Sequence, residues 1–284
     1  MGLDRRSANL LSAVKSLGGS LETTAMIGRL ALFASEAELR PILDLHGVAA
    51  PPSSDYSEAL LQALGATTVH SFDASSYEGA THVHDMNLPI LEDLKGRYDL
   101  VVDGGTLEHV FNVPQALKNC MEMLRVGGHF VMSGPANNQM GHGFWQFSPE
   151  LAFRVFSEAN GFAIVAVLLQ PSRETLWRET HGSYRLVRDP AEIGARVELR
   201  NSDPTFLHVI ARRTAEGPIF QAFPQQSDYV PIWNDARPVR RIEPLLDVAR
   251  KVTPGIVKRV LKPTFPVRSY RKLSDEQVMR GKFG

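Results

Sequence analysis

The stretch that decides the fold runs from Tyr98 to Phe147 and reads YDLVVDGGTLEHVFNVPQALKNCMEMLRVGGHFVMSGPANNQMGHGFWQF. Its apolar run Leu100–Val102 is followed by an aspartate and two glycines, which is typical of a strand buried on both faces. Apolar residues then recur at helical spacing from Pro114 to a glycine stop at Gly127. Phe130–Met132 predicts the next strand. Such a strand–helix–strand unit predicts parallel strands with a right-handed crossover, so we expect chemistry at the carboxyl ends of the strands.

Length and composition set the class of protein. The chain has 284 residues and 43% apolar content, which suits one large domain with an appendage. Its single cysteine, Cys120, excludes an intramolecular disulfide framework, and its place on the apolar face of the predicted helix favours a buried structural thiol. No run approaches the roughly 20 apolar residues that span a bilayer, and the first residues lack a secretory signal pattern. We therefore expect a cytoplasmic protein.

The net charge is zero but unevenly distributed. Residues 237–284 hold 13 Lys/Arg and 4 Asp/Glu, so the rest of the chain holds 18 basic and 27 acidic residues. We predict an N-terminal helical segment over residues 1–20, an α/β domain over 21–215 and a Pro-rich basic extension over 216–284. The basic extension suits peripheral contact with an anionic membrane. The alternative that we favour is a solvated tail packed loosely on the acidic body. We expect no nucleic-acid partner.

The order of the motifs resembles the class I S-adenosylmethionine-dependent methyltransferases. The resemblance rests on a strand ending YDLVV, then LEHV, a helix, LRVGGHFVMSGP and a later helix closing on NGF. It is strongest over Asp99–Phe162 and weaker from Thr24 to Thr214. It implies a doubly wound, mostly parallel, Rossmann-like sheet of seven strands with a final antiparallel strand. It also implies S-adenosylmethionine as cofactor and methyl transfer to an oxygen or nitrogen of a small molecule, glycan or lipid head group.

The glycine-rich motif of that family is degenerate in this chain. The family has an acidic residue and then Gly-x-Gly-x-Gly after its first strand, whereas Thr23–Ile27 is followed by Gly28 alone. The missing glycines also argue against a nicotinamide-dependent dehydrogenase. They keep open an alternative function, a non-catalytic methyltransferase-fold protein that acts as a binding or regulatory partner.

The resemblance implies a set of cofactor-binding residues at strand ends. Asp73, which follows the predicted strand Thr67–Phe72, would bind the ribose hydroxyls, because a carboxylate accepts two hydrogen bonds from a diol. Asp85 would face the adenine amino group, with Met86 as an apolar wall. The alternative for either aspartate is a turn or loop-capping residue. The predicted cofactor set is Gly28, Asp73, Asp85, Met86, Asp103 and Gly104.

Catalytic and substrate-binding residues are predicted beside that set. Asp103 would lie next to the methyl donor, and His109 is the candidate base because its charge changes near neutral pH. The alternative that we favour for His109 is a packing or hydrogen-bonding role. Only one carboxylate is in an obvious position to bind a metal ion, so we predict no metal. The loop 137–147 is rich in amides and aromatics, and either covers the sheet or binds substrate through Asn138, His142, Trp145 and Gln146.

Overall fold

The computed structural model describes residues 1–175, 178–181, 183–230, 233 and 270–284. Most of the basic segment from residue 237 onward therefore lies outside the described residues, and its predicted membrane contact stays a prediction. Within the described part of the chain, no helix is both long enough and apolar enough to cross a bilayer.

The chain alternates helices and strands. The strands are β1 (Gly2–Leu3), β2 (Thr23–Ile27), β3 (Ala31–Leu32), β4 (Thr68–Asp73), β5 (His82–Val83), β6 (Tyr98–Asp103), β7 (Leu124–Pro135), β8 (Phe162–Thr175), β9 (Arg178–His181), β10 (Tyr184–Val187), β11 (Thr205–Arg213) and β12 (Tyr270–Leu273). The helices are α1 (Arg5–Ser16), α2 (Glu36–His46), α3 (Glu58–Ala63), α4 (Val113–Met123), α5 (Pro149–Val155), α6 (Pro190–Ile193) and α7 (Asp275–Met279). Short 3-10 turns cover Glu92–Leu94, Leu107–His109 and Glu158–Asn160.

One large mixed sheet organises the described residues. Nine of its ten strands follow the order β12-β10-β8-β11-β7-β6-β2-β4-β5, and β9 pairs with β8 outside that path. Strands β5, β4, β2, β6 and β7 pair in parallel. Strand β11 is antiparallel to both β7 and β8, and β10 and β12 add further antiparallel pairs. The predicted α/β fold on a large sheet is confirmed, but the sheet has more strands than the predicted seven and is more mixed.

Helices cover both faces of this sheet, and apolar strand side chains point alternately to one face and the other. In β6, where every residue is buried, Leu100 and Val102 pack in a cluster with α1, α2 and α3. Val101 between them packs in a second cluster with α4 and α5. Two such helical layers require a strand with apolar side chains on both faces. The central strand is therefore the seam between two hydrophobic cores.

The predicted helix stop at Gly127 is wrong. Helix α4 ends at Met123, and Gly127, with φ of 90°, lies inside β7. Next to it, a Cβ on Gly128 would lie 2.9 Å from the carbonyl oxygen of Tyr98. The β6–β7 register shifts at this point. The glycine pair therefore forms an irregularity at the start of a strand, where positive φ and close backbone approach both need glycine.

The two ends of the described chain pack on the same sheet. Strand β12 pairs with β10, and the hydroxyls of Ser12 and Ser16 in α1 both donate to the carbonyl oxygen of Met279 in α7. The predicted domain division at residues 20 and 215 stays a prediction.

Candidate functional site

The order of the strands reverses between β2 and β6. From β2 the chain continues outward to β4 and β5, and it then returns to place β6 on the other side of β2. In open parallel sheets, ligands bind in the crevice outside the carboxyl ends of the strands at such a switch point. The loops that border this crevice begin at Gly28 after β2 and at Gly104 after β6.

The N-terminal residues occupy this crevice. The backbone N–H of Gly2 donates to the carbonyl oxygen of Gly104 at 2.9 Å, and a Cβ on Gly104 would lie 2.8 Å from the carbonyl oxygen of Gly2. A Cβ on Gly28 would lie 2.7 Å from Thr106 Oγ1 and 3.7 Å from Met1 Cε. Both loop glycines are buried. The space beside the two predicted cofactor-binding glycines is therefore filled by β1 and Thr106.

The residues predicted to hold the adenosine part lie on the β4–β5 side of the crevice. Asp73 is half-buried, and its Oδ1 accepts from Ser75 N at 3.2 Å. Asp85 is exposed, and its Oδ1 accepts from the backbone and side-chain nitrogens of Asn87, which lower the pKa of Asp85. Met86 is buried. Each aspartate thus makes the hydrogen bonds of a turn or loop-capping residue, which is the alternative given above. Asp73 also keeps an accessible position at a strand end.

Asp103 is fully buried at the end of β6. Its Oδ1 accepts from Thr106 N at 2.9 Å and from Leu107 N at 3.3 Å, whereas Oδ2 has no hydrogen-bond partner among the described residues. Burial, and secondarily the charge of Glu108, raise the pKa of the Asp103 carboxyl well above its usual range. Through Oδ1 the side chain caps the turn that carries Glu108 and His109.

Glu108 was not among the predicted site residues, yet it is the centre of the site. Its side chain is 1% exposed, Oε1 lies 3.3 Å from His142 Nε2, and Oε2 has no hydrogen-bond partner among the described residues. Burial raises its pKa. Its carbonyl oxygen accepts from Phe144 N at 2.8 Å and from Trp145 N at 3.3 Å. The sequence signal was its position beside His109, but its burial arises from a loop 34 residues further on.

His109 and His142 lie beside this carboxylate. Their ring centroids are 5.4 Å apart, and both residues are exposed. Partial burial, then the charges of His142 and the chain amino terminus, lower the pKa of His109. Its imidazole is therefore neutral near pH 7. One ligand atom from each of Glu108, His109 and His142 lies within 4.8 Å of the others.

The loop 137–147 is anchored at both ends. Asn138, with φ of 60°, donates through Nδ2 to the carbonyl oxygens of Asn201 and Asp203 at 2.9 and 3.0 Å. At the other end, Trp145 Nε1 donates to the carbonyl oxygen of Val110 at 3.0 Å. Of the four predicted substrate residues, His142 and Trp145 therefore lie at the Glu108 cluster. Asn138 ties the loop to the segment before β11, and Gln146 is exposed.

Open space and exposed rings adjoin the cluster. A pocket of about 290 Å³ lies between loop residues 138–142 and Ser172, Pro204 and Phe206. In the same loops, Phe111 is 71% exposed and Phe144 is 68% exposed, and their rings meet edge to face with centroids 5.9 Å apart. Exposed aromatic pairs are typical of binding surfaces. The arrangement suits a small partly apolar molecule held beside two imidazoles.

No model of a known protein family matches this chain, and no curated protein does. Among solved structures, it is similar to the N-methyltransferase NodS from Bradyrhizobium japonicum in complex with S-adenosyl-L-homocysteine. The identity is 14%, the match covers 73% of this chain and 85% of that chain, and the TM-score is 0.38. The 1,6-didemethyltoxoflavin-N1-methyltransferase of Burkholderia thailandensis is 16% identical over 74% of this chain and 79% of that chain, with a TM-score of 0.37.

The similar structures are not all methyltransferases. The branched-chain polyamine synthase of Thermus thermophilus is 11% identical over 78% of this chain and 60% of that chain, with a TM-score of 0.37. Other similar structures carry methyltransferase names.

Proposed function

We propose that this chain transfers a methyl group from S-adenosylmethionine to an oxygen or nitrogen of a small molecule. The observation that carries the proposal is the arrangement at the switch point. An accessible strand-end carboxylate, Asp73, lies on one side of the crevice, and the His109–His142 pair with its adjoining pocket lies on the other. A glycan or lipid head group as acceptor has no support beyond the sequence.

The strand order supports the proposal. Seven strands, β5-β4-β2-β6-β7-β11-β8, are consecutive in the sheet, and β11 runs antiparallel to both β7 and β8. One reversed strand in such a group is compatible with the resemblance drawn from the sequence. Strands β9, β10 and β12 then extend the group at the β8 side.

The residues present suit the cofactor in part. Asp73 can accept hydrogen bonds from a ribose diol, and S-adenosyl-L-homocysteine is the ligand named for the NodS complex. The glycine side does not fit the cofactor as it stands, because Met1–Leu3 fill the space between Gly28 and Gly104. Binding therefore requires β1 to move.

A titration with S-adenosylmethionine and S-adenosylhomocysteine tests the proposal. We expect saturable binding to the wild-type chain and weaker binding to Asp73→Ala. Losing hydrogen bonds to a charged group costs about 1.5–3 kcal/mol, which is about a 10- to 150-fold loss of affinity. The exposed Asp44 on α2 offers a matched control, and Asp44→Ala should bind like the wild type. Equal affinity of both variants would remove Asp73 from the site.

A second candidate is a non-catalytic protein of the same fold. The observation that favours it is β1, which closes the crevice with a backbone hydrogen bond. No binding of either ligand to the wild type, together with slow amide exchange in residues 2–3, would support this candidate over methyl transfer.

A further inference from the structure

We propose that Glu108, His109 and His142 form a binding site for a divalent transition-metal ion such as Zn²⁺. The three side chains present one carboxylate oxygen and two imidazole nitrogens within 4.8 Å of one another. Two histidines and one carboxylate are a donor set that proteins use for Zn²⁺ and for other first-row metals, with positions left open for water or substrate. Imidazole pairs favour such ions over Mg²⁺ and Ca²⁺, which prefer oxygen ligands.

The buried carboxylate of Glu108 is the strongest support. Its Oε1 faces His142 Nε2 at 3.3 Å, but its Oε2 is buried without a hydrogen-bond partner among the described residues. Leaving a buried acceptor unsatisfied costs about 1–3 kcal/mol, and more if it is charged. A bound cation would remove that cost, because it would take the Glu108 carboxylate as a ligand.

The two histidines are supplied by elements with fixed positions. His109 lies in the turn capped by Asp103, and the loop that carries His142 is docked through two N–H groups on the carbonyl oxygen of Glu108. Ligand atoms around a tetrahedral ion are about 3.4 Å apart at bond lengths near 2.1 Å. The side chains therefore need to close by about 1.5 Å or less. Both histidines are exposed, so the remaining positions of the ion would face solvent beside the Phe111–Phe144 pair.

A metal ion bound at this cluster would change the role of His109. Because a ligand histidine cannot also accept a proton, the site is an alternative to the predicted base role of His109.

Cobalt titration of the full chain tests this site without any assay of activity. The tag-free protein, stripped of metal by a chelator, is titrated with Co²⁺ and followed by visible absorption. We expect saturation at one ion per chain, a spectrum of low coordination number and displacement by Zn²⁺. His109→Ala, His142→Ala and Glu108→Gln should each weaken binding by about 100-fold or more, since even residues outside the ligand set contribute about 10- to 100-fold.

His84→Ala is the matched control, because His84 lies in the loop after β5 and its Nε2 faces the carbonyl oxygen of Leu88. This variant should bind Co²⁺ like the wild type, and circular dichroism should show all variants folded. The two exposed histidines keep the test decisive if the Glu108 variant does not fold. Absence of saturable binding, or unchanged affinity in both histidine variants, would overturn the metal site and leave the proposed methyl transfer untouched.

Discussion

The N–H of Gly2 donates a 2.9 Å hydrogen bond to the carbonyl oxygen of Gly104, so the first strand lies across the end of the central strand β6. Strand β1 also pairs in parallel with β3, and Leu3 is fully buried among residues of α1 and α2. The crevice at the switch point is therefore closed by a two-residue strand with a single large apolar anchor.

Loosening this anchor should open the crevice. We expect Leu3→Ala to lower the free energy of unfolding by about 2–5 kcal/mol, because a fully buried leucine is truncated. It should also strengthen the binding of S-adenosylmethionine in a calorimetric titration, because β1 competes for the same space. Leu11→Ala is the control, since Leu11 is fully buried in the same cluster but lies on α1. If both variants bind equally, β1 does not gate the crevice.

The docking of the 137–147 loop depends on Gly143. This residue has φ of 78°, and a Cβ on it would lie 2.7 Å from the carbonyl oxygen of Glu108. We expect Gly143→Ala to destabilise the protein by about 1–3 kcal/mol through strain and overpacking. Amide exchange across residues 138–146 should become faster.

Gly141 offers a control in the same loop. A Cβ there meets nothing within 4 Å, so Gly141→Ala should change stability by about 0.5 kcal/mol or less. Comparable losses in the two variants would mean that contact with Glu108 does not hold the loop.

The buried Asp103 carboxyl predicts a pH dependence of stability. Burial raises its pKa in the folded state above the ordinary 3.8, so the contribution of this group is fully present below about pH 4 and is lost as pH rises through the folded-state pKa. Asp103→Asn keeps the acceptor for Thr106 N and cannot ionise. The free energy of unfolding of the variant, relative to the wild type, should therefore rise with pH, by at most about 1.4 kcal/mol per pH unit.

Urea unfolding from pH 4 to 9 measures this difference. Asp44→Asn, at an exposed position, should run parallel to the wild type. Parallel curves for Asp103→Asn as well would show that the Asp103 carboxyl ionises in the folded protein at little cost.

Local patterns predicted much of the secondary structure. Strand β2 spans the predicted residues Thr23–Ile27, and the predicted strand Leu100–Val102 lies within β6. The prediction was wrong at Gly127. A glycine that ends a helix and a glycine in a strand irregularity give the same sequence pattern when either follows apolar residues at helical spacing.

The candidate site was predicted in part. His109 and His142 were both predicted, for different roles, and the structure places their rings 5.4 Å apart. Glu108 was missed, because its environment depends on a loop that no local pattern positions. Strand β1 was missed because two residues carry no periodicity.

The sequence by itself determined the alternation of helices and strands and the polar loops at the strand ends, because apolar period and turn residues act over a few positions. The clearest example is β6, which the sequence predicts as a strand buried on both faces and which is fully buried. Only the tertiary structure decided what fills the switch-point crevice and which side chains meet there. The Gly2–Gly104 hydrogen bond and the Glu108–His142 contact join residues far apart in the chain. Such contacts follow from the packing of whole elements, and local spacing does not encode them.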